Sequence, residues 1–148
     1  MTQGTLQTCL CIELRGTAQK LTKLYDEALS LTGITVTQFS LLHKVQLLGH
    51  PTINALAKAT GLDRSTLGRN LRRLHHMNLV EMRTGADARS KTILITDRGR
   101  NDFERAVPLW QSVQSSLEKR LGEDKRALLT ELLADLNVDP VHSPCNHS

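Results

Sequence analysis

The run Leu56 to Leu74, LAKATGLDRSTLGRNLRRL, decides the fold. It reads as two short helices joined through a glycine. Thr52 caps the first, which carries Ile53, Leu56 and Ala57, and Gly61 closes it. Asp63 opens the second, which runs to about Met77 and places Leu67, Leu71 and Leu74 on one packed stripe. Its other face offers Arg64, Ser65, Thr66, Gly68, Arg69 and Asn70. A helix enters the DNA major groove when one face is apolar and packed and the other is small or polar. Gly68 inside the helix costs about 1 kcal/mol relative to Ala. Either a close approach to DNA or helix–helix packing accounts for that cost.

The period changes after Leu79. Val80 and Met82 face one way, and Ile93 and Ile95 do so on the return. The polar stretch Thr84 to Lys91 (TGADARSK) lies between them, so this region reads as a β-hairpin with a basic tip. Two short helices followed at once by a basic hairpin make a winged helix-turn-helix. Ser65, Thr66, Arg69 and Asn70 are the base-edge candidates, with Arg64 beside them at the helix start. Arg72 and Arg73 are placed on phosphates or at the rim, and Arg89 and Lys91 on a flanking minor groove or backbone.

The rest of the chain is helix-rich. From about Cys9 to Leu31, apolar residues Leu14, Ala18, Leu21, Leu24 or Tyr25, Ala28 and Leu31 recur at helical spacing, and Gly33 ends the run. Thr37 is expected to cap a second helix with Phe39, Leu42 and Val45 inward, broken by Gly49-His50-Pro51. Thr96 caps a long helix carrying Phe103, Val107, Trp110, Val113, Leu117 and Leu121, which Pro108 should kink. Gly122 separates it from a last helix with Leu128, Leu129, Leu132, Leu133 and Leu136. The fold class expected is mainly α with a small β-hairpin wing. Residues 1–34 form an N-terminal helix, 35–96 the winged lobe, 97–136 the C-terminal helices and 137–148 a polar tail.

Charge agrees with this layout. The net charge is +4, and the segment from Asp63 to Lys91 holds seven positive and three negative residues, which is the whole excess. Such a patch points to a polyanion partner, here double-stranded DNA. Aromatic residues make up only 3%, which argues against stacking platforms for single strands. No apolar run approaches the roughly 20 residues of a membrane span, and a cytoplasmic protein without a signal peptide is expected. No Gly-rich phosphate loop, HExxH or evident nucleophile–base pair is present, so no enzymatic activity and no obligatory cofactor is expected. His75 and His76 are adjacent rather than at ligand spacing, and His43 and His50 stand alone.

The segments Thr35 to Leu42 (TVTQFSLL), Leu56 to Leu74, and Leu79 to Arg100 (LVEMRTGADARSKTILITDRGR) together resemble the MarR family of bacterial transcriptional regulators. The Asp87-Ala88-Arg89 step and the Ile95-Thr96 to Gly99 ending match that family's wing signature. The resemblance implies a homodimer, its first, fifth and sixth helices intertwined, whose two winged lobes bind a pseudo-palindromic operator. It also implies that Asp63 pairs with Arg89 and, with Asp87, positions the wing; the alternative is that Asp63 is only an N-cap. Independently, the leucines of the last helix are too many for one exposed helix, and a partner chain is their natural cover.

Three cysteines remain: Cys9, Cys11 and Cys145. An odd count in a reducing compartment argues against a structural disulfide set. Thr8 as N-cap would put Cys9 and Cys11 in a first helical turn, where negative charge on a thiolate is favoured and Arg15 adds a cation. Leu10-Cys11 and Lys23-Leu24-Tyr25 resemble the peroxide-sensing OhrR branch of the family, which implies Cys11 as sensor and Tyr25 as its partner; Arg15 stands where that branch carries a second tyrosine. A soft metalloid such as As(III) or Sb(III) is the other thiol reading, since three sulfur ligands suit it. In a regular helix Cys9 and Cys11 lie roughly 200° apart, so a shared ion needs the first turn unwound. The partner chain's Cys145 would complete the set, and zinc with His142 or His147 is a weaker variant. Against these stands simple packing of cysteines at an interface. The function expected is a dimeric repressor released through its thiols. Three alternatives remain: a regulator answering to small aromatic compounds, a nonspecific architectural DNA binder, and a redox enzyme or metal buffer. The last leaves the basic wing unexplained.

Overall fold

The computed structural model describes residues 9–85, 87 and 90–137. Helix α1 (Leu10–Leu29) is followed by a 3₁₀ turn (Ser30–Thr32) and α2 (Val36–Leu48). Next come α3 (Ile53–Thr60) and α4 (Arg64–His76), then β1 (Val80–Thr84) and β2 (Lys91–Ile95). Helices α5 (Asp97–Leu121) and α6 (Glu123–Leu136) complete the described chain.

Local capping chemistry sets most of these boundaries. Thr52 accepts the Ala55 amide at 3.1 Å and starts α3, and Gly61 ends it with φ 67°, a left-handed value suited to glycine. Thr96 accepts the Gly99 amide at 2.9 Å and starts α5. Gly122, at φ 78°, divides α5 from α6. Helix α5 runs on through Pro108.

Two expected starts move. The cap of α2 is Thr35, not Thr37. The Thr35 hydroxyl accepts the Gln38 amide while the Gln38 side chain accepts the Thr35 amide, a reciprocal box that satisfies two orphan donors at once. The cap of α1 is Cys9, in extended conformation and with no side-chain cap bond, so only Cys11 lies within the first turn. Thr8, the expected cap, lies outside the described residues. Helix α1 also stops two residues earlier than its periodicity suggests. Leu29 is fully buried, and the 3₁₀ turn leaves Leu31 83% exposed.

Packing divides the chain between Gln111 and Ser112. The first unit thus takes in α1 and the start of α5 as well as the winged lobe. Its core is built from Leu29, Ile34, Phe39, Leu41, Leu42, Val45, Leu56, Leu67, Leu71, Leu74, Leu79, Val80, Ile93 and Ala106. Asp26 of α1 accepts the Val36 amide at 2.7 Å, which ties the end of α1 to the start of α2. Phe39 stacks on Phe103 and Trp110 at centroid distances of 4.7 and 5.7 Å.

The strands pair antiparallel, with Val80 opposite Ile95 and Met82 opposite Ile93, as the alternation predicts. The Ile93 amide donates to the Pro51 carbonyl at 2.9 Å, and Thr52 bridges to Thr92. The hairpin is therefore fastened to the loop that starts α3. Gly99 permits a further close contact, because a Cβ there would run into the Leu79 carbonyl oxygen and Ile95.

Candidate nucleic-acid interface

Helix α4 presents the two faces its sequence requires. Leu67, Leu71 and Leu74 are fully buried, while Arg64, Ser65, Arg69, Arg72 and Arg73 are exposed and Thr66 and Asn70 half-buried. Asp63 organises the start of the helix. Its Oδ1 accepts the Thr66 amide at 2.8 Å and the Ser65 hydroxyl at 2.7 Å, and its Oδ2 accepts the Thr66 hydroxyl at 2.7 Å. These donors, the Ser65 hydroxyl foremost and then the amide and hydroxyl of Thr66, hold the Asp63 carboxyl well below the usual carboxylate range.

The other candidates are positioned from this start. Arg64 donates to Asn54 of α3 at 2.6 Å, so the first helix of the pair steadies the guanidinium of the second. Arg69 donates to the Thr66 hydroxyl at 3.3 Å. The Asn70 amide group donates to the Thr66 carbonyl at 3.0 Å, which turns its donor toward the helix rather than outward. Thr66, Arg69, Asn70, Arg72, Arg73 and His76 line one surface depression. His75 brings Nδ1 within 3.1 Å of the Val80 carbonyl and ties the end of α4 to the wing. Neither Asn54 nor His76 is among the DNA contacts expected from the sequence. Asn54 carries no local signal, whereas His76 follows Arg69, Arg72 and Arg73 at helical spacing and is recoverable from that phase.

Gly68 lies open. A Cβ there would meet only the Arg72 guanidinium at 3.5 Å, an ordinary contact, so packing within the chain does not account for the glycine.

On the wing, Lys91 is exposed opposite Thr84. Arg83 pairs with Glu81 at 3.2 Å, both largely exposed, an arrangement worth about 1 kcal/mol or less. Asp87 shapes the tip through its carbonyl, which accepts the Ser90 amide at 3.0 Å and the Ser90 hydroxyl at 3.2 Å. Arg89 lies outside the described residues, and with it the expected Asp63–Arg89 pair.

The two described thiols, Cys9 and Cys11, are exposed. Tyr25 shares α1 with Cys11 and stands 14 residues further on. At the rise of a helix that is about 21 Å, so Tyr25 can meet Cys11 only from a second chain. Cys145, His142 and His147 lie outside the described residues. Among the described residues no three His, Cys, Asp or Glu side chains are grouped to hold a metal. His43, which stands alone in the sequence, stacks on Phe103 at 5.8 Å. His50, Val45, Gln46, Ile95, Arg100 and Phe103 are among the residues lining a cleft of about 330 Å³. No helix among the described residues is long and apolar enough to cross a membrane.

Known proteins share this arrangement. The model of the MarR family matches residues 32–90. The M. tuberculosis transcriptional regulator MosR, solved in complex with DNA, is 36% identical, with 88% of this chain and 99% of that one covered and a TM-score of 0.74. A point mutant of E. coli MarR, solved with operator DNA, is 27% identical over 93% of this chain and all of that one, with a TM-score of 0.83. An uncharacterized HTH-type transcriptional regulator of Bacillus cereus is 25% identical over 138 residues, 93% of this chain and 92% of its own. The chain belongs to the MarR family. It is a DNA-binding transcriptional regulator of that type and not an enzyme.

Proposed function

We propose that the protein is a cytoplasmic homodimeric repressor whose two winged lobes grip a pseudo-palindromic operator and let go when its N-terminal thiols react. The observation that carries the reading is the outer face of α4, where Arg64, Ser65, Arg69, Arg72 and Arg73 stand exposed over a fully buried leucine stripe. The DNA-bound relatives support it. Arg69 and the hydroxyls of Ser65 and Thr66 address base edges, while Arg72, Arg73, Lys91 and Arg89 address the backbone or the flanking minor groove. Two recognition helices must fall about 34 Å apart to enter successive major grooves. A change in the dimer helices that resets this spacing releases the DNA.

The exposed pair Cys9 and Cys11 at the start of α1 supports a thiol trigger. A thiophilic metalloid, As(III) or Sb(III), would bind Cys9, Cys11 and the partner chain's Cys145. Organic hydroperoxide would instead oxidise Cys11 to a sulfenic acid, with reduction of the peroxide to an alcohol and Tyr25 of the other chain nearby. The cleft between Val45 and Phe103 supports a second reading, in which a small aromatic compound is the effector and the cysteines only pack.

Fluorescence anisotropy with DNA from upstream of the protein's own gene separates these. It is run on reduced protein, with organic hydroperoxide and with trivalent arsenic or antimony, for wild type and Cys11→Ser. Release by metalloid in wild type alone supports the three-thiol site, and release by peroxide alone supports the Cys11 sensor. Retention under both moves the trigger to the cleft, and absence of sequence-specific binding by reduced protein sinks the repressor reading.

A further inference from the structure

The hydroxyls at the start of α4 have their protons already assigned. A hydroxyl offers one donor and two acceptor positions, whereas an ionised carboxylate offers acceptors only. The Ser65 hydroxyl lies 2.7 Å from Asp63 Oδ1 and the Thr66 hydroxyl 2.7 Å from Oδ2, so in both bonds the proton belongs to the hydroxyl and points at Asp63. The Thr66 amide also donates to Oδ1, at 2.8 Å, and strengthens the ionised carboxylate. Arg69 occupies one Thr66 lone pair at 3.3 Å and leaves another open. Ser65 is exposed on the outer face, one turn before Arg69.

We propose that the start of α4 reads exocyclic amino groups: with their protons held by Asp63, the Ser65 and Thr66 hydroxyls act as hydrogen-bond acceptors and select adenine or cytosine over guanine or thymine at the bases they reach. In the major groove adenine and cytosine present an amino donor, N6 or N4, while guanine O6 and thymine O4 are acceptors and would face the hydroxyl oxygens lone pair to lone pair. Serine and threonine on a bare helix read either class, because their protons rotate to suit the base. Asp63 removes that freedom. The assignment rests on the operator-binding reading above and sharpens it, since Asp63 sets specificity by positioning two hydroxyls without itself reaching a base.

The test is selection of bound sequences from a randomised operator library, scored at each position as the enrichment of adenine plus cytosine over guanine plus thymine. Wild type, Ser65→Ala, Thr66→Val and Asp63→Asn are compared. Wild type is expected to favour the amino class by about tenfold or more at one or two positions in each half-site. Ser65→Ala or Thr66→Val brings one of those positions close to even while the other positions keep their preference. Asp63→Asn is the sharper variant. Asparagine caps a helix as well as aspartate, but its amide nitrogen donates, so the hydroxyl it faces regains a free proton. Guanine and thymine are then accepted at that position, whereas a weakened cap alone would lower affinity without changing the base preference. A specific wild-type profile left unchanged by all three variants overturns the acceptor assignment and leaves the repressor reading standing. The same holds for a profile that favours keto bases at the Ser65-dependent position. A flat wild-type profile overturns both.

Discussion

Helices α4 and α6 are nearly equal in length and both carry leucines at helical spacing, yet they finish differently. In α4, Leu67, Leu71 and Leu74 are at most 1% exposed. In α6, Leu128, Leu129, Leu132, Leu133 and Leu136 are 38–51% exposed, and the helix has no buried residue. Burying one leucine side chain contributes roughly 1.5–3 kcal/mol. Helix α4 gathers that stabilisation within its own chain, and α6 leaves much of it to be gained. The exposed apolar residues of α1, among them Leu10, Ile12, Leu14, Leu21 and Leu24, belong with α6 in this respect. The stripe of α4 is finished within its own chain, and those of α1 and α6 keep apolar surface exposed that the proposed second copy would cover.

The comparison breaks most easily at α6. Leu129→Asp combined with Leu133→Asp should give a monomer by analytical ultracentrifugation, with the winged lobe still melting cooperatively. Operator affinity should fall about a hundredfold or more, because the two lobes then bind without the effective concentration that linkage provides. A double variant that stays dimeric would mean that α6 is not where the chains meet.

The next effect concerns Gly99, which lies where the wing meets α5. A Cβ there collides with the Leu79 backbone carbonyl, which cannot rotate away as a flexible side chain would. Leu79 also accepts the Thr96 amide at 3.1 Å, so the collision reaches the junction of β2 and α5. Gly99→Ala should cost about 1–3 kcal/mol in urea denaturation. Gly68 gives the opposite result, because its Cβ position is open. Gly68→Ala should raise stability by about 1 kcal/mol, the helix-propensity gain, and weaken operator binding in the same protein. A gain in stability with unchanged affinity would show that DNA does not approach that position.

The winged lobe is legible in the sequence because its determinants are local. Thr52, Asp63 and Thr96 each accept an amide three residues on, Gly61 donates its own amide to the Ala57 carbonyl four residues back, and the hairpin alternation sets its own register. The α2 cap is misread from the sequence as Thr37, although Thr35 and Gln38 stand at capping-box spacing, because Thr37 competes as a cap residue two positions on. Contacts between distant residues are not legible. Nothing near His43 announces Phe103, and nothing near Arg64 announces Asn54. The thiol reading is only partly legible. Spacing places Leu10-Cys11 and Tyr25 on one helix, but the helical rise then keeps them apart within a chain.

The smallest expected effect lies at Asp63 and tests whether its cap works through charge. Its carboxyl is depressed by the Ser65 and Thr66 donors, so the folded state favours the ionised form more than the unfolded chain does. The stabilisation is therefore fully present above the unfolded carboxylate pKa of about 3.9 and is lost as pH falls from there toward the lower folded value. Melting temperatures of wild type and Asp63→Ala should differ by a constant amount from about pH 7 to pH 5 and converge as pH drops below about 4. Both proteins lose stability in acid through their other carboxylates, so the difference between them, not either curve alone, carries the information. Asp63 is exposed, and added salt should shrink the difference without abolishing it, because three short hydrogen bonds survive screening better than a bare surface charge does. A difference that stays constant down to about pH 2 would mean the cap acts as a neutral acceptor, and the protons of Ser65 and Thr66 would then lose the anion that holds them in place.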